Sequence, residues 1–543
     1  MKPYYLINII IIVLLFTYQY GRALDEAVGQ SASNDSVTTS YESVFEQLMN
    51  LEIDPQQVAA VNNFLFQRDV GKFHLKEGEL YFCKPIENRH YAAIFTGKGT
   101  FSFKPPTEIE QDQLNRFYET RKMEKDFNLL FIVFADSTYD QFRKQLTFEE
   151  GKISRKTKQQ LDYCLKYLGK EKEKHFEYAI LKTLLEQKYN KLFYAHFSKY
   201  KIQPMFFRIN PFSEEEVQFM RRLKGPSYLY RPEVINQFHL QEEYQDSTYL
   251  TGEDKTSLHI TDYKIDCALK GYKLDFSATT EIEFKSLTEN QNWLTFWLFG
   301  ELKVDSVFWD HGEKATFIKG NENPALWVKA DHPLREGEQR KLTLHYHGDL
   351  LDRRKDWFFI RSSKGWYPQH GQRQRARFDI TYHIPEEFQF ASIGEKIFSK
   401  TEDGVITSRW KIDKPVRNIS FNIGFFKEFK IESDSLPPIT IYMAETGHLE
   451  IAHSLARLGV GSGKNMEKQV GEDVLNSIRF FRRKFGEPSA DQFYATEIPY
   501  THGEAFPGLI HLPWITFHRT TEGGYDATFR AHEVAHQWWG IGV

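Results

Sequence analysis

The sequence predicts a multidomain α+β protein: an N-terminal module of mixed strands and helices, then an all-β, sandwich-like domain, then the start of an α-rich domain. Three observations predict it. The chain has 543 residues, well beyond the roughly 100–200 that one domain takes. Its apolar periodicity changes near residue 255 and again near 433. Its 41% hydrophobic and 15% aromatic content, with 46 Phe and 28 Tyr, supplies material for large cores and excludes disorder or coiled coil as the main state.

At the N-terminus Lys2 precedes an apolar run from Leu6 to Phe16, broken only by Asn8 and followed by Gly21-Arg22-Ala23. A basic start, a short apolar stretch and small residues before a cut make a secretory signal over 1–23. The run is too short for an ordinary transmembrane helix, although an uncleaved signal anchor is the alternative. The expected mature protein is therefore exported, periplasmic or extracellular, with no stable membrane span. Residues 24–40, rich in Ser, Asn and Asp, read as a linker.

An accessory α+β domain is expected over 41–250. Between Lys72 and Phe103, the runs Lys72–Leu75, Glu79–Cys83, Tyr91–Phe95 and Thr100–Phe103 recur between Gly and Pro breakers, predicting a meander of short strands. Thr107 with Glu110 forms a T-x-x-E capping box that opens a helix, and Ser213 with Glu216 repeats the pattern. Asn128–Ala135 is a continuous apolar run suited to a buried strand. From Glu171 to Tyr200, Ile180, Leu181, Leu184, Leu185, Leu192 and Phe193 fall at helical spacing.

Over 255–432 the period becomes two. Tyr263, Ile265, Cys267 and Leu269 alternate with polar neighbours, as do Phe276 to Phe284 and Leu342 to Tyr346, so this segment reads as all-β. Over 433–543 helical periodicity returns, and Val474–Phe485 reads as an amphipathic helix with a basic, solvated end at Arg482-Arg483-Lys484.

Charge and cysteines bound the function. Lys+Arg 70 against Asp+Glu 74 leaves a net charge of -4, so no global field recruits nucleic acid or anionic membrane. Cys83, Cys164 and Cys267 are too scattered for a disulfide framework or a C-x-x-C site and read as buried thiols. Gly459 to Asn465 lacks the first Gly and the Ser/Thr of a phosphate loop and reads as a flexible turn.

The strongest chemical signal lies in Thr528–Gly540, which contains His532-Glu533-x-x-His536. Residues four apart on a helix share one face, so both imidazoles can reach one zinc ion, with Glu533 beside them to activate water. A bare H-E-x-x-H match is expected by chance in roughly one chain in twenty of this kind. Its context therefore matters.

The run H-E-V-A-H-Q-W-W-G from His532 to Gly540 closely resembles the zinc helix of the gluzincin aminopeptidases, the family of membrane alanyl aminopeptidase. Upstream, His502-Gly503-Glu504-Ala505-Phe506-Pro507-Gly508-Leu509 stands where that family carries G-x-M-E-N-x-G-L. Trp366-Tyr367-Pro368, Ala376–Ile380, His383-Ile384-Pro385 and Arg417–Phe426 resemble segments of its β-domain, in order. The resemblance spans about 255–543 and implies an α-rich, thermolysin-like catalytic domain, begun but not completed here. It implies Zn2+ as cofactor, His532 and His536 as metal ligands, Glu533 as general base, and Gly503, Glu504, Ala505 and Phe506 as the peptide-binding strand.

Two departures accompany it. The family's third zinc ligand, a Glu, comes from the next helix, and only seven residues follow His536, so that ligand is not in this chain and the sequence resembles the front of a longer protein. At the family's amine-binding Glu stands Phe506. The expected activity is thus that of a zinc metallopeptidase acting on peptides, aminopeptidase-like. An endopeptidase on the same helix, or a non-catalytic exported scaffold that keeps the fold, stays open.

Overall fold

The structure is a computed structural model. It describes residues 46–541 apart from 169–173, 187–188, 200–202, 214, 223–231, 246–255, 320–323, 355–356, 362, 364, 372–373, 433–435, 445–465, 489, 491, 500–501 and 518–523. The signal, the linker and the Gly459–Asn465 turn lie outside the described residues. The protein is multidomain, mostly β with a few helices, as its sequence predicts.

The first module is an eight-stranded antiparallel meander in sequence order: β1 (Ile53–Arg68), β2 (Gly71–Cys83), β3 (Ala92–Phe103), β4 (Met123–Phe134), β5 (Phe193–Ser198), β6 (Met205–Ile209), β7 (Val217–Arg222) and β8 (Pro232–Phe238). Both faces are covered, which explains the unbroken apolar run in β4. Leu130, Ile132 and Phe134 face a Phe-rich core with Leu114 and Phe142, contributed by helices α1 (Glu108–Tyr118) and α2 (Thr138–Gln145). Leu129, Phe131 and Val133 face the other core, under α3 (Arg155–Leu168) and α4 (Lys174–Glu186).

Three expectations for this module need correction. The four short runs between Lys72 and Phe103 are two long strands, because the glycines read as breakers allow strands to touch. Gly78 lies opposite Gly97, and a Cβ on Gly97 would stand 2.2 Å from the Glu77 carbonyl oxygen. The helix over Glu171–Tyr200 stops at Glu186, and Phe193, directly after Leu192, opens β5, which pairs between β4 and β6. Ser213 and Glu216 open no helix. The Asn210 side chain accepts the Phe212 N–H at 3.1 Å, and the Asn210 N–H donates to the Glu216 carbonyl at 2.9 Å, which closes a β6–β7 hairpin turn instead. Thr107 does cap α1, its N–H donating to Glu110 Oε2 at 2.9 Å.

The middle region is built on a seven-stranded sheet from β9 (Leu258–Lys270), β10 (Asp275–Ser286), β11 (Leu302–Trp309), β12 (Gln339–Gly348), β13 (Ala376–Pro385), β14 (Glu395–Glu402) and β15 (Val405–Val416), in the order β11-β12-β10-β9-β13-β15-β14. Only the β9–β13 pairing is parallel among these. The alternation seen in β9 and β10 places Tyr263, Ile265, Cys267, Leu269, Phe276 and Ile282 in one core, together with Trp366 and Tyr367. Trp366 Nε1 donates to the Ile419 carbonyl at 3.1 Å, which holds the 417–420 loop against the core. All three cysteines are free and buried.

The last region is a mixed five-stranded sheet of β16 (Phe426–Ile431), β17 (Ile439–Ala444), β18 (Phe493–Ile498), β19 (Glu504–Phe506) and β20 (Leu509–Pro513), in the order β16-β17-β18-β20-β19. Helices α5 (Glu467–Phe485) and α6 (Tyr525–Ala535) share a core with it through Val470, Val474, Ile478, Ile510, Leu512 and Val534. Among the described residues no helix is long and apolar enough to cross a membrane.

Candidate metal centre

Helix α6 is fixed from three sides. Arg530, fully buried, pairs with Asp473 of α5 and donates from Nη2 to the Thr516 carbonyl at 2.6 Å. Val534 anchors the apolar face. Beyond the helix, the buried Gln537 donates from Nε2 to the Phe506 carbonyl at 3.0 Å and accepts the Gly508 N–H at 2.9 Å, gripping the β19–β20 turn. With those contacts made, His532, Glu533 and His536 face a cleft of about 530 Å³. Its other wall carries Gly503, Glu504, Ala505, Phe506 and Pro507, with Arg417 and Asn418 at the side.

The two imidazoles lie side by side, ring centroids 4.8 Å apart and planes at 83°. His536 Nδ1 is 3.2 Å from the Trp539 carbonyl. A carbonyl can only accept, so Nδ1 carries a proton, and Nε2 is the ring nitrogen left to face a metal. The donor set and its orientation fit one edge of a zinc site. Among the described residues, no His, Cys, Asp or Glu joins this pair in a three-ligand set with all ligand atoms within 4.8 Å.

Glu533 is 4% exposed. Burial pushes its carboxyl up to about 6, His536 pulls it down and Glu504 pushes it up again. Across the cleft lies the backbone of Gly503, where a Cβ would stand 2.4 Å from Glu533 Oε1. Any side chain at 503 must therefore displace the Glu533 carboxylate. Gly503→Ala is expected to push the Glu533 carboxylate aside and lower kcat about tenfold or more with the metal retained, because displacements near 1 Å are costly at a reacting centre. Metal analysis alongside peptide turnover checks this.

Glu504 and Phe506 lie two apart on β19, yet they do different things. The Phe506 ring is 1% exposed, belongs to the middle region's core and packs on His511 with centroids 5.6 Å apart. It offers the cleft little apolar wall. Glu504 remains at the cleft, where its Oε1 accepts the Ser363 hydroxyl at 2.8 Å and lies 4.0 Å from His502 Nε2. It also borders a second cavity of about 370 Å³ reaching Phe359, Phe421 and Ile498. His511, opposite Glu504 on β20, is buried, and burial drives its pKa down to about 4. It is a neutral structural residue bound to Thr496 Oγ1 at 2.7 Å.

Sequence reasoning singled out neither Ser363 nor Gln537. Gln537 sits directly after the second His of the motif, so its position was a usable signal. Ser363 comes from a distant segment with none. Arg417 and Asn418 entered only as part of a β-domain segment, and their position at the cleft depends on the loop that Trp366 pins.

No family model matches the chain, and no curated protein matches it by sequence. Solved structures similar to it include an M1 zinc metallopeptidase from Deinococcus radiodurans, at 15% identity and TM-score 0.41, covering 52% of this chain and 65% of that one. A mutant of that protein bound to a Tyr-Ser-Ala substrate matches at 16% identity and TM-score 0.40, over 52% of this chain and 65% of its own. A two-domain M1 zinc metallopeptidase mutant bound to L-arginine matches at 15% and 0.39, over 53% and 66%. The chain thus spans about two thirds of the length of the structures it resembles.

Proposed function

We propose that the chain is a zinc-dependent metallopeptidase, aminopeptidase-like, with Glu533 as general base. The observation that carries this reading is the meeting of the paired imidazoles and the buried Glu533 with the Gly503–Phe506 strand across a single cleft. Zinc held by His532 and His536 would supply Lewis acidity to the scissile carbonyl and acidify water. The remaining steps belong to the protein. Glu533 accepts a proton from the attacking water and delivers it to the departing amine nitrogen. The edge of β19 offers backbone groups to an extended peptide, and the Glu504 carboxylate, steadied by Ser363, faces the end where a free ammonium group would lie.

The test removes the imidazoles. In the full-length protein, His532→Ala with His536→Ala should lower bound zinc by one equivalent and abolish chelator-sensitive peptide hydrolysis. Hydrolysis that persists without both histidines would overturn the reading.

A further inference from the structure

A second constellation of metal-ligating side chains lies in the first module, away from the cleft. Glu216 closes the β6–β7 turn, His239 follows β8 directly, and Glu243 begins the single-turn helix Glu243–Gln245. Their ligand-type atoms fall within 4.8 Å of one another. His239 Nδ1 stands 3.5 Å from Glu216 Oε2 and 3.5 Å from Glu243 Oε2.

Those two distances are too long for good hydrogen bonds. They match the edge of about 3.4 Å of a tetrahedron whose corners lie about 2.1 Å from a central ion. His239 Nδ1 is itself buried and makes no hydrogen bond among the described residues. Glu216 is fully buried and Glu243 is 6% exposed. A dication bound between these groups takes the two carboxylates and the neutral imidazole as its ligands. Nearby, Lys191 is engaged with Glu242.

The surroundings hold the ligands in place. The Leu240 N–H donates to Glu216 Oε2 at 3.2 Å, and the Gln241 N–H donates to Asp69 Oδ2 at 2.8 Å. The Tyr244 hydroxyl donates to Glu110 in the first turn of α1. The His239 side chain keeps 26% of its surface exposed, which leaves an entry path. One imidazole with two carboxylates is a donor set for a first-row divalent ion such as zinc, with water completing the shell.

We propose that Glu216, His239 and Glu243 form a zinc site that clamps the loop after β8 onto the β6–β7 turn. It is independent of the peptidase reading, since none of its residues lines the cleft.

The experiment silences the other candidate ligands. The chain carrying His532→Ala and His536→Ala, stripped with chelator and dialysed, is titrated with zinc chloride, then assayed for metal content and thermal midpoint. The expected result is one zinc per chain and a raised midpoint. Adding His239→Ala, or separately Glu243→Gln, should weaken zinc binding at least about 100-fold, more than the loss of a ligand's supporting partner, and erase the shift. The Glu243→Gln variant keeps the side chain's size, so an unchanged circular dichroism spectrum separates ligand loss from misfolding. In the chain with His532 and His536 intact, His239→Ala should lower bound zinc by one equivalent, which serves if the doubly substituted chain fails to fold. No zinc uptake by the folded silenced chain, or uptake unaffected by both substitutions, overturns the proposal.

Discussion

Glu533→Gln in the full-length protein is expected to keep the zinc and lose peptide turnover by about 100- to 10,000-fold, the range that general-base catalysis supplies. Glutamine reproduces the shape of a side chain with little spare room: Glu533 is 4% exposed, and even a Cβ on Gly503 would stand 2.4 Å from its Oε1. The amide cannot take a proton from water, so kcat falls while substrate binding is retained. Metal content and a kcat against KM comparison check it together. Turnover within a few-fold of the unsubstituted protein would place the base elsewhere. Loss of the metal along with activity would mean that Glu533 supports the ligands instead.

What the sequence disclosed depended on how local the determining interactions are. The β4 run and the alternation in β9 and β10 were legible because burial on two faces or one follows directly from period. The shared face of His532 and His536 follows from their spacing of four, because His536, the C-cap of α6, keeps a helical backbone although the helix ends at Ala535 and does not run on to Gly540. Gly78 and Gly97 misled because a close backbone approach between strands and a turn both select glycine. Leu192 and Phe193 continue the helical spacing of α4, yet tertiary pairing with β4 and β6 claims that segment for the sheet. Glu216 fits a capping box on paper, but Asn210 directs the backbone into a hairpin and sends the Glu216 carboxylate toward His239. Arg417, Ser363 and the Glu216–His239–Glu243 set come together only through the fold, and no spacing in the chain announces them.

Glu504→Ala should separate an enzyme that reads a free N-terminus from one that does not. On sequence grounds Phe506 takes the place of an amine anchor, with Glu504 displaced along the strand by about 6.5 Å. The structure turns Phe506 into the core and leaves Glu504 at the junction of the two cavities, its carboxylate fixed by Ser363. A carboxylate held in this way binds an ammonium group through charge-assisted hydrogen bonds, and the loss of such a contact costs about 2 kcal/mol, or about 30-fold. The expected outcome is therefore a fall of about 30-fold in kcat/KM for a peptide with a free amine, with little change for its acetylated twin. Selective loss identifies Glu504 as the amine anchor and the protein as an aminopeptidase with altered depth preference. An equal effect on both peptides removes the anchor, and efficient cleavage of the acetylated peptide by the unsubstituted protein makes the same zinc helix that of an endopeptidase.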